Sequence, residues 1–329
     1  MSKLVTIFGG SGFVGRYIAR RMAREGWRVR VAVRRPTEAG FVRTYGAVGQ
    51  VEPVLCNIRD ENSVRAALAG ADAAVNCVGI LFEQGPNRFD AVQAEGPARV
   101  ARLAAAEGVA RLVQISAIGA DAGSDSAYGR SKAAGETAVL QAFPDAVILR
   151  PSIIFGTEDQ FFNRFAGMTR FSPFLMVAGA NSRFQPVYVD DVAKAAAMAA
   201  MGEVEPGLYE LGGPEVKSFR ELMQMMLAEI RRKRVIVNMP WFMAHAVAGA
   251  LSVLQAVTLG LFTNAVLTRD QLRNLARDNV VADGAKGFAD LGIAPTPMEL
   301  ILPDYLWRFR ATGQYRAIRE SADGLRGHE

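Results

Sequence analysis

The sequence predicts an α/β fold: a doubly wound, mostly parallel sheet with a smaller, mainly C-terminal α+β domain. Three observations predict it. An apolar run, Leu4–Phe8, breaks into Gly9-Gly10-Ser11-Gly12-Phe13-Val14-Gly15 and continues at helical spacing from Arg16 to Met22. Short apolar runs at Arg28–Val33, 50–56, 73–78 and 111–116 then alternate with helical stretches at Glu61–Leu68, 88–107 and 128–142. The chain has 329 residues, half of them hydrophobic, enough to bury a large core in one domain or two closely packed ones. The expected division assigns 1–158 to the sheet domain, completed by about 184–201. It assigns 159–183 and 202–313 to the smaller domain, and 314–329 to a polar tail.

The first run is a strand, a glycine turn and a helix N-terminus, the unit that holds a dinucleotide pyrophosphate in Rossmann-type sheets. Gly9 allows the tight turn, Gly12 lets backbone approach phosphate, and Gly15 lets helix and strand pack closely. Ser11 and Phe13 complete the loop, and the free amides at the positive helix end face the diphosphate. The spacing is Gly-x-x-Gly-x-x-Gly, not the commoner Gly-x-Gly-x-x-Gly.

The second strand runs into Arg34-Arg35-Pro36, where a carboxylate would bond the adenosine 2′-hydroxyl. Two guanidiniums there suit a 2′-phosphate, so NADPH (or NADP⁺) is expected and NADH is less favoured. The alternative is a pair of surface arginines before a turn proline. After the third strand Asn57 is placed to meet the adenine edge beside Ile58, and Asp60 to begin the next helix. Cys77-Val78-Gly79 closes the fourth strand. Cys56 and Cys77 fall on strands to either side of the first, too far apart to bond.

Tyr128 and Lys132 are four residues apart and share one helical face. A lysine cation near a phenol lowers its pKa, as proton transfer to a carbonyl requires. Two separated histidines and two cysteines give no metal-ligand cluster, so no metal is expected. The net charge of +5 comes with no nucleic-acid reader motif, so no nucleic acid is expected. The first strand begins after Met1-Ser2-Lys3, leaving no room for a targeting peptide; the expectation is a cytosolic or cytosol-facing protein unless an address was already removed.

Together the glycine motif, the Asn-Cys-Val-Gly end of the fourth strand and Tyr128-x-x-x-Lys132 resemble the extended or atypical short-chain dehydrogenase/reductase superfamily. Leu149-Arg150-Pro151-Ser152-Ile153-Ile154-Phe155-Gly156 resembles its sixth-strand signature, which adds Pro151, Ser152 and Ile153 to the cofactor candidates. Pro186-Val187-Tyr188-Val189-Asp190-Asp191-Val192-Ala193 resembles its return to the sheet. A closer likeness is to the NADPH-binding accessory subunits of respiratory complex I (NADH:ubiquinone oxidoreductase) and their bacterial relatives. It is carried by Tyr128-Gly-Arg-Ser-Lys-Ala-Ala-Gly-Glu136, Phe155-Gly-Thr-Glu-Asp-Gln-Phe-Phe-Asn-Arg-Phe165, Gln185-Pro-Val-Tyr-Val-Asp-Asp-Val192 and Asp290-Leu-Gly-Ile-Ala-Pro-Thr-Pro297. The resemblance implies bound NADPH, complex I subunits as partners, no established turnover, and a place beside the membrane near the quinone site. That place is the cytoplasmic side of a bacterial inner membrane, or the matrix side if a presequence was removed. One departure matters. Ile118 stands where active members carry a Ser or Thr; Ser116, Ser124 or Ser126 would have to replace it.

In the second half, 159–170 reads as an aromatic-rich helix whose Phe161, Phe162 and Phe165 form core or a quinone wall. Leu208 to Leu211 reads as a strand, and Ser218 with Glu221 as a capping box for a helix through Ile230. That helix ends in Arg231-Arg232-Lys233-Arg234, and no charged residue follows until Arg269. Trp241, Phe242, Val247, Leu251, Leu254, Leu259 and Phe262 stud the interval, which lies on an anionic membrane surface or a partner, packs in the core, or spans a bilayer. A short helix is expected after Asp283-Gly284 and a final helix carrying Leu300, Tyr305, Leu306 and Trp307, then a frayed tail from Gly313. The leading functional expectation is an NADP(H)-binding accessory or assembly subunit of complex I. The alternatives are an active NADPH-dependent oxidoreductase or epimerase on a hydrophobic carbonyl, and a redox-sensing regulator.

Overall fold

The structure, a computed structural model, describes residues 2–257, 268–311 and 313. The first half runs β1 (Leu4–Phe8), α1 (Phe13–Arg24), β2 (Arg28–Val33), β3 (Val51–Leu55), α2 (Glu61–Leu68), β4 (Ala73–Asn76), α3 (Glu95–Ala106), β5 (Arg111–Ile115), α4 (Ala127–Ala142) and β6 (Val147–Pro151). The second runs β7 (Ile154–Phe155), α5 (Phe162–Met168), β8 (Phe174–Ala178), β9 (Arg183–Phe184), β10 (Val187–Tyr188), α6 (Val189–Met201), β11 (Gly207–Leu211), β12 (Lys217–Ser218), α7 (Phe219–Glu229), β13 (Val235–Met239), α8 (Trp241–Val257), α9 (Arg269–Leu275) and α10 (Met298–Leu306).

Seven strands form one sheet in the order β11-β6-β5-β4-β1-β2-β3, with every pair parallel. The strands read as apolar runs because helices cover both faces. Val5 and Ile7 point into a core shared with α1 and α6, while Phe8 and Ala32 point into a second core under α2 and α3. The chain starts in the middle, winds out to β3 and returns to β4, so the strand order switches between β1 and β4. Ligands of such sheets bind outside the carboxyl ends at that switch. Asp60 caps α2 by accepting from the Asn62 and Ser63 amides, and Gly108 ends α3 with φ +72°. The helix expected over 88–107 opens with a π-turn at Asp90–Ala94.

Two expected elements differ. The strand that completes the sheet is β11, outside 184–201; the latter stretch supplies β10, which pairs with β7, and α6, which packs on α1. The helix expected after Asp283-Gly284 is a series of turns. Gly284 and Gly292 adopt φ +76° and +64°, and the Lys286 carbonyl is taken by the Glu210 amide at the sheet edge.

The second half builds a third core around Phe155, Phe162, Phe184, Phe219, Met226 and Tyr305. Phe162 is fully buried there, Phe165 packs edge-on against Phe161 and Phe219, and Phe161 lies tilted against Phe219, so the aromatic stripe is core packing. The capping box of Ser218 and Glu221 is present at α7. Within the uncharged interval, β13 pairs with β8 and α8 buries Ala244 and Ala248 while Phe242 and Val247 stay exposed. The part at 258–267, including Leu259 and Phe262, lies outside the described residues, as do the side chains of Leu251 and Leu254 and the tail at 314–329. Among the described residues no helix is long and apolar enough to cross a membrane.

Candidate cofactor site and proton-transfer pair

The glycine loop leaves β1 through Gly9 at φ +73°, whose amide donates to the Ala32 carbonyl. A Cβ at Gly15 would lie 2.4 Å from the Gly9 carbonyl oxygen and 2.7 Å from the Gly10 Cα, so only glycine lets α1 pack this closely. A Cβ at Gly12 would meet one atom within 4 Å, the Gly9 oxygen at 3.1 Å, so the loop is open on that side. The α1 N-terminus, where Phe13 begins the helix after Ser11 and Gly12, presents there the amides that have no intrahelical partner. Arg16, which the motif reading missed, donates to the carbonyls of Ser11 at 3.0 Å and Gly12 at 3.3 Å and pairs with Glu158. Its signal is its place directly after the last glycine.

Arg34 and Arg35 lie exposed just past the end of β2, in the neighbourhood their sequence position implied. Arg34 donates to Asn87 at 3.2 Å and Arg35 pairs with Glu38 at 3.1 Å. A third guanidinium, Arg59, bonds the Pro86 carbonyl in the same 80–89 loop as Asn87. Asn57 accepts from the Arg59 amide and so holds its own turn; Ile58 is buried. The Cys77 amide extends the β1 ladder to Phe8, Val78 lies against Gly9, and a Cβ at Gly79 would stand 3.5 Å from Lys132 Nζ. Cys56 and Cys77 are free, and burial pushes the Cys77 thiol up to about 12.

The α4 N-terminus is built from both halves of the chain. Ser126 Oγ accepts from the Gly129 amide and donates to Asp270 at 2.8 Å, and Asp270 also accepts from the amides of Ala127 and Tyr128. Tyr128 packs edge-on against Phe89, and Lys132 Nζ lies 5.9 Å from the Tyr128 ring centroid. The expected lowering of the phenol is not what this geometry produces. Burial pushes Tyr128 up to about 12 and Lys132 down to about 8, because both groups are desolvated. Behind them Arg150 bonds Glu136 through two oxygens at 2.9 and 2.6 Å and reaches Glu210 at 3.4 Å, an enclosed ion network.

The candidate hydroxyls differ in what already holds them. Ile118 is buried with its amide on the Pro151 carbonyl. Ser124 accepts from the Ser126 amide, and Ser126 is held in the cap. Ser116 Oγ is buried without a partner among the described residues, as is Gln93 Oε1. Ser152 Oγ lies 2.7 Å from Asn279 Oδ1, and Asn279 Nδ2 donates to the Ile118 carbonyl. Pro151 ends β6, and Ile153 packs against the third core. Lys132, Ser116 and Gln93 thus offer polar atoms with spare capacity near the carboxyl ends of β4 and β5, and the glycine loop leaves room for phosphate. These residues fit an NAD(P) nucleotide.

The NAD-dependent epimerase/dehydratase family matches residues 5–212. The mitochondrial NADH dehydrogenase [ubiquinone] 1 alpha subcomplex subunit 9 of Arabidopsis thaliana is 34% identical over 94% of this chain and 79% of its own length. The ceramide reductase of Caulobacter vibrioides is 34% identical over 58% of each chain. In fold, the crystal structure of the NADPH-dependent quinone oxidoreductase QOR2 of Escherichia coli, complexed with NADPH, superposes with a TM-score of 0.69 at 17% identity, covering 92% of this chain and 98% of that one. The chain belongs to the NAD-dependent epimerase/dehydratase family, within the short-chain dehydrogenase/reductase superfamily, and groups there with the subunit 9 proteins of complex I.

Proposed function

We propose that this protein binds NADP(H) tightly and serves as an accessory or assembly subunit of respiratory complex I, with the cofactor chiefly structural or redox-sensing. What carries the reading is where the likeness extends. It runs through 94% of this chain with the complex I subunit, including the C-terminal region, but through 58% with the ceramide reductase. The residue at 118 supports it: isoleucine can neither donate to a substrate oxygen nor orient it. Losing one such donor costs roughly 10²–10³ in rate at other sites. Residues 1–158 form the cofactor-binding part in this reading. Gly9, Gly12 and Gly15 cradle the diphosphate, Arg34 and Arg35 take a 2′-phosphate, and Lys132 holds the nicotinamide ribose. Partners are complex I subunits at the cytoplasmic or matrix face of the membrane. Affinity capture of the tagged chain from detergent-solubilised membranes tests it: subunits of the quinone-reducing complex should co-purify, and their absence overturns the role.

Ser116 favours a second reading, a working NADPH-dependent oxidoreductase on a hydrophobic carbonyl. A bound nicotinamide supplies hydride transfer; Ser116 would polarise the carbonyl and Tyr128 would donate the proton. NADPH oxidation at ordinary enzyme rates, roughly 1–10³ s⁻¹, lost in Tyr128→Phe, selects this reading over the first.

A further inference from the structure

An open cleft of 820 Å³ lies between α7 and the start of β13. Arg220, Gln224 and Leu227 line one side and Lys233, Val235 and Ile236 the other, with Arg231 between them. Two arginines of the basic run are structural: Arg232 donates to the Phe309 carbonyl and Arg234 to that of Thr169. The alternate residues, Arg231 and Lys233, are exposed. Neither Arg220 nor Lys233 has a carboxylate partner among the described residues. Arg231 sits at φ +52° just past α7, the left-handed position that glycine fills without strain.

The cleft opens onto an apolar face that is exposed among the described residues. In β8 the side chains alternate: Leu175 and Val177 are buried, while Phe174 and Met176 are 55% and 56% exposed. They pair across the strands with Val235 and Val237, also exposed, and Val235 belongs to both face and cleft. Phe171 stands 92% exposed just before β8. Along one extended segment, then, exposed cations at 231 and 233 give way to exposed apolar residues at 235 and 237. No Asp or Glu occurs from 230 to 269. Contacts between proteins generally mix both signs of charge; one sign grading into an apolar face matches headgroup and acyl layers.

We propose that the cleft takes the phosphate of an anionic phospholipid and that the β8–β13 face lies against the lipid boundary. The inference stands on this surface and rests on neither the cofactor nor the complex I reading. Flotation of the purified full-length protein with vesicles tests it. The protein should bind phosphatidylcholine vesicles containing phosphatidylglycerol, release as salt rises, and ignore phosphatidylcholine alone. A triple variant, Arg220→Ala, Arg231→Gly and Lys233→Ala, should partition roughly 10²-fold less at low salt. Arg231→Gly relieves backbone strain, and an unchanged melting profile certifies the fold. Met176→Gln with Val237→Thr should weaken binding even where salt has screened the charges. Equal binding to both vesicle types, or full binding by the triple variant, overturns the proposal. So does saturation of the cleft by glycerol phosphate without vesicle binding, which would make a soluble phosphate the ligand. So, too, does capture of complex I subunits through these residues with no vesicle binding.

Discussion

In the seven-stranded sheet the inner strands are covered on both faces, whereas β8 and β13 are covered on one. The difference governs where each region keeps its unsatisfied groups. Under full cover, Ser116 Oγ and Gln93 Oε1 are buried without partners among the described residues, and burial lowers Lys132 to about 8. Under half cover, the groups that face outward are cations and apolar side chains. A buried orphan is costly unless something pairs with it, so the first region is arranged for a small polar ligand held inside. An exposed apolar face with a basic rim is arranged for a large surface outside. Substitutions in the two regions should therefore differ in kind as well as in size.

The largest effect is expected in the covered region. Arg150→Met removes the cation shared by Glu136 and Glu210, both nearly buried. Two carboxylates would be left without their partner, and breaking such a pair costs about 3–5 kcal/mol. Chemical denaturation should show that loss, and a change below about 1 kcal/mol would mean that the network is solvated. Next in size is the double variant Arg34→Ala, Arg35→Ala. It should weaken NADPH by about 1.5–3 kcal/mol and leave NADH nearly unchanged, as titration of both cofactors would show. Equal wild-type affinities for the two would remove these arginines from the 2′-phosphate site.

The contrast also marks how much could be read in the sequence. The strands of the large sheet were legible because cover on both faces makes them apolar runs, and Asp60 and Ser218 announced their helices by local capping. Local spacing also placed Tyr128 and Lys132 on one helical face. It could not say that both side chains are desolvated there, so the sign of the Tyr128 shift differs from the one expected. Asp270 and Asn279 were illegible for a different reason. They reach α4 and Ser152 across 144 and 127 residues, and nothing periodic in the chain marks either contact. The β8–β13 pair was hidden because five-residue apolar stretches suit strand or buried helix equally.

A pH titration sharpens the covered side further. Lys132 is held near 8 by burial, below the usual lysine value. Below that pH its charge is present to attract the anionic cofactor. NADPH affinity should be flat up to about pH 8 and then fall, by at most about tenfold per pH unit. For folding of the protein alone the sign is opposite. The unfolded lysine binds its proton up to about 10.4, so this residue's contribution to stability rises between about pH 8 and 10.4. Lys132→Met should flatten the binding profile; an unchanged slope would assign the ribose contact to another group.

The smallest expected effect is the one that tests the half-covered side. Met176 faces outward and its neighbour Leu175 inward, on the same strand and one residue apart. Leu175 packs in the third core with Phe184, Phe219 and Leu222. Met176→Gln removes apolar surface that folding does not bury, so the stability change should stay within about 0.5 kcal/mol. Leu175→Ala, as the internal control, should cost about 2–5 kcal/mol through the cavity it leaves. Thermal melts of the two variants side by side distinguish the alternatives. If Met176→Gln costs as much as Leu175→Ala, the outer face of β8 is covered within the folded chain itself. The one-faced character of this sheet, and the membrane reading built on it, would then fail together. If the cost appears only when membranes or partner proteins are present, the face is covered from outside, and the difference between the two melts measures how strongly.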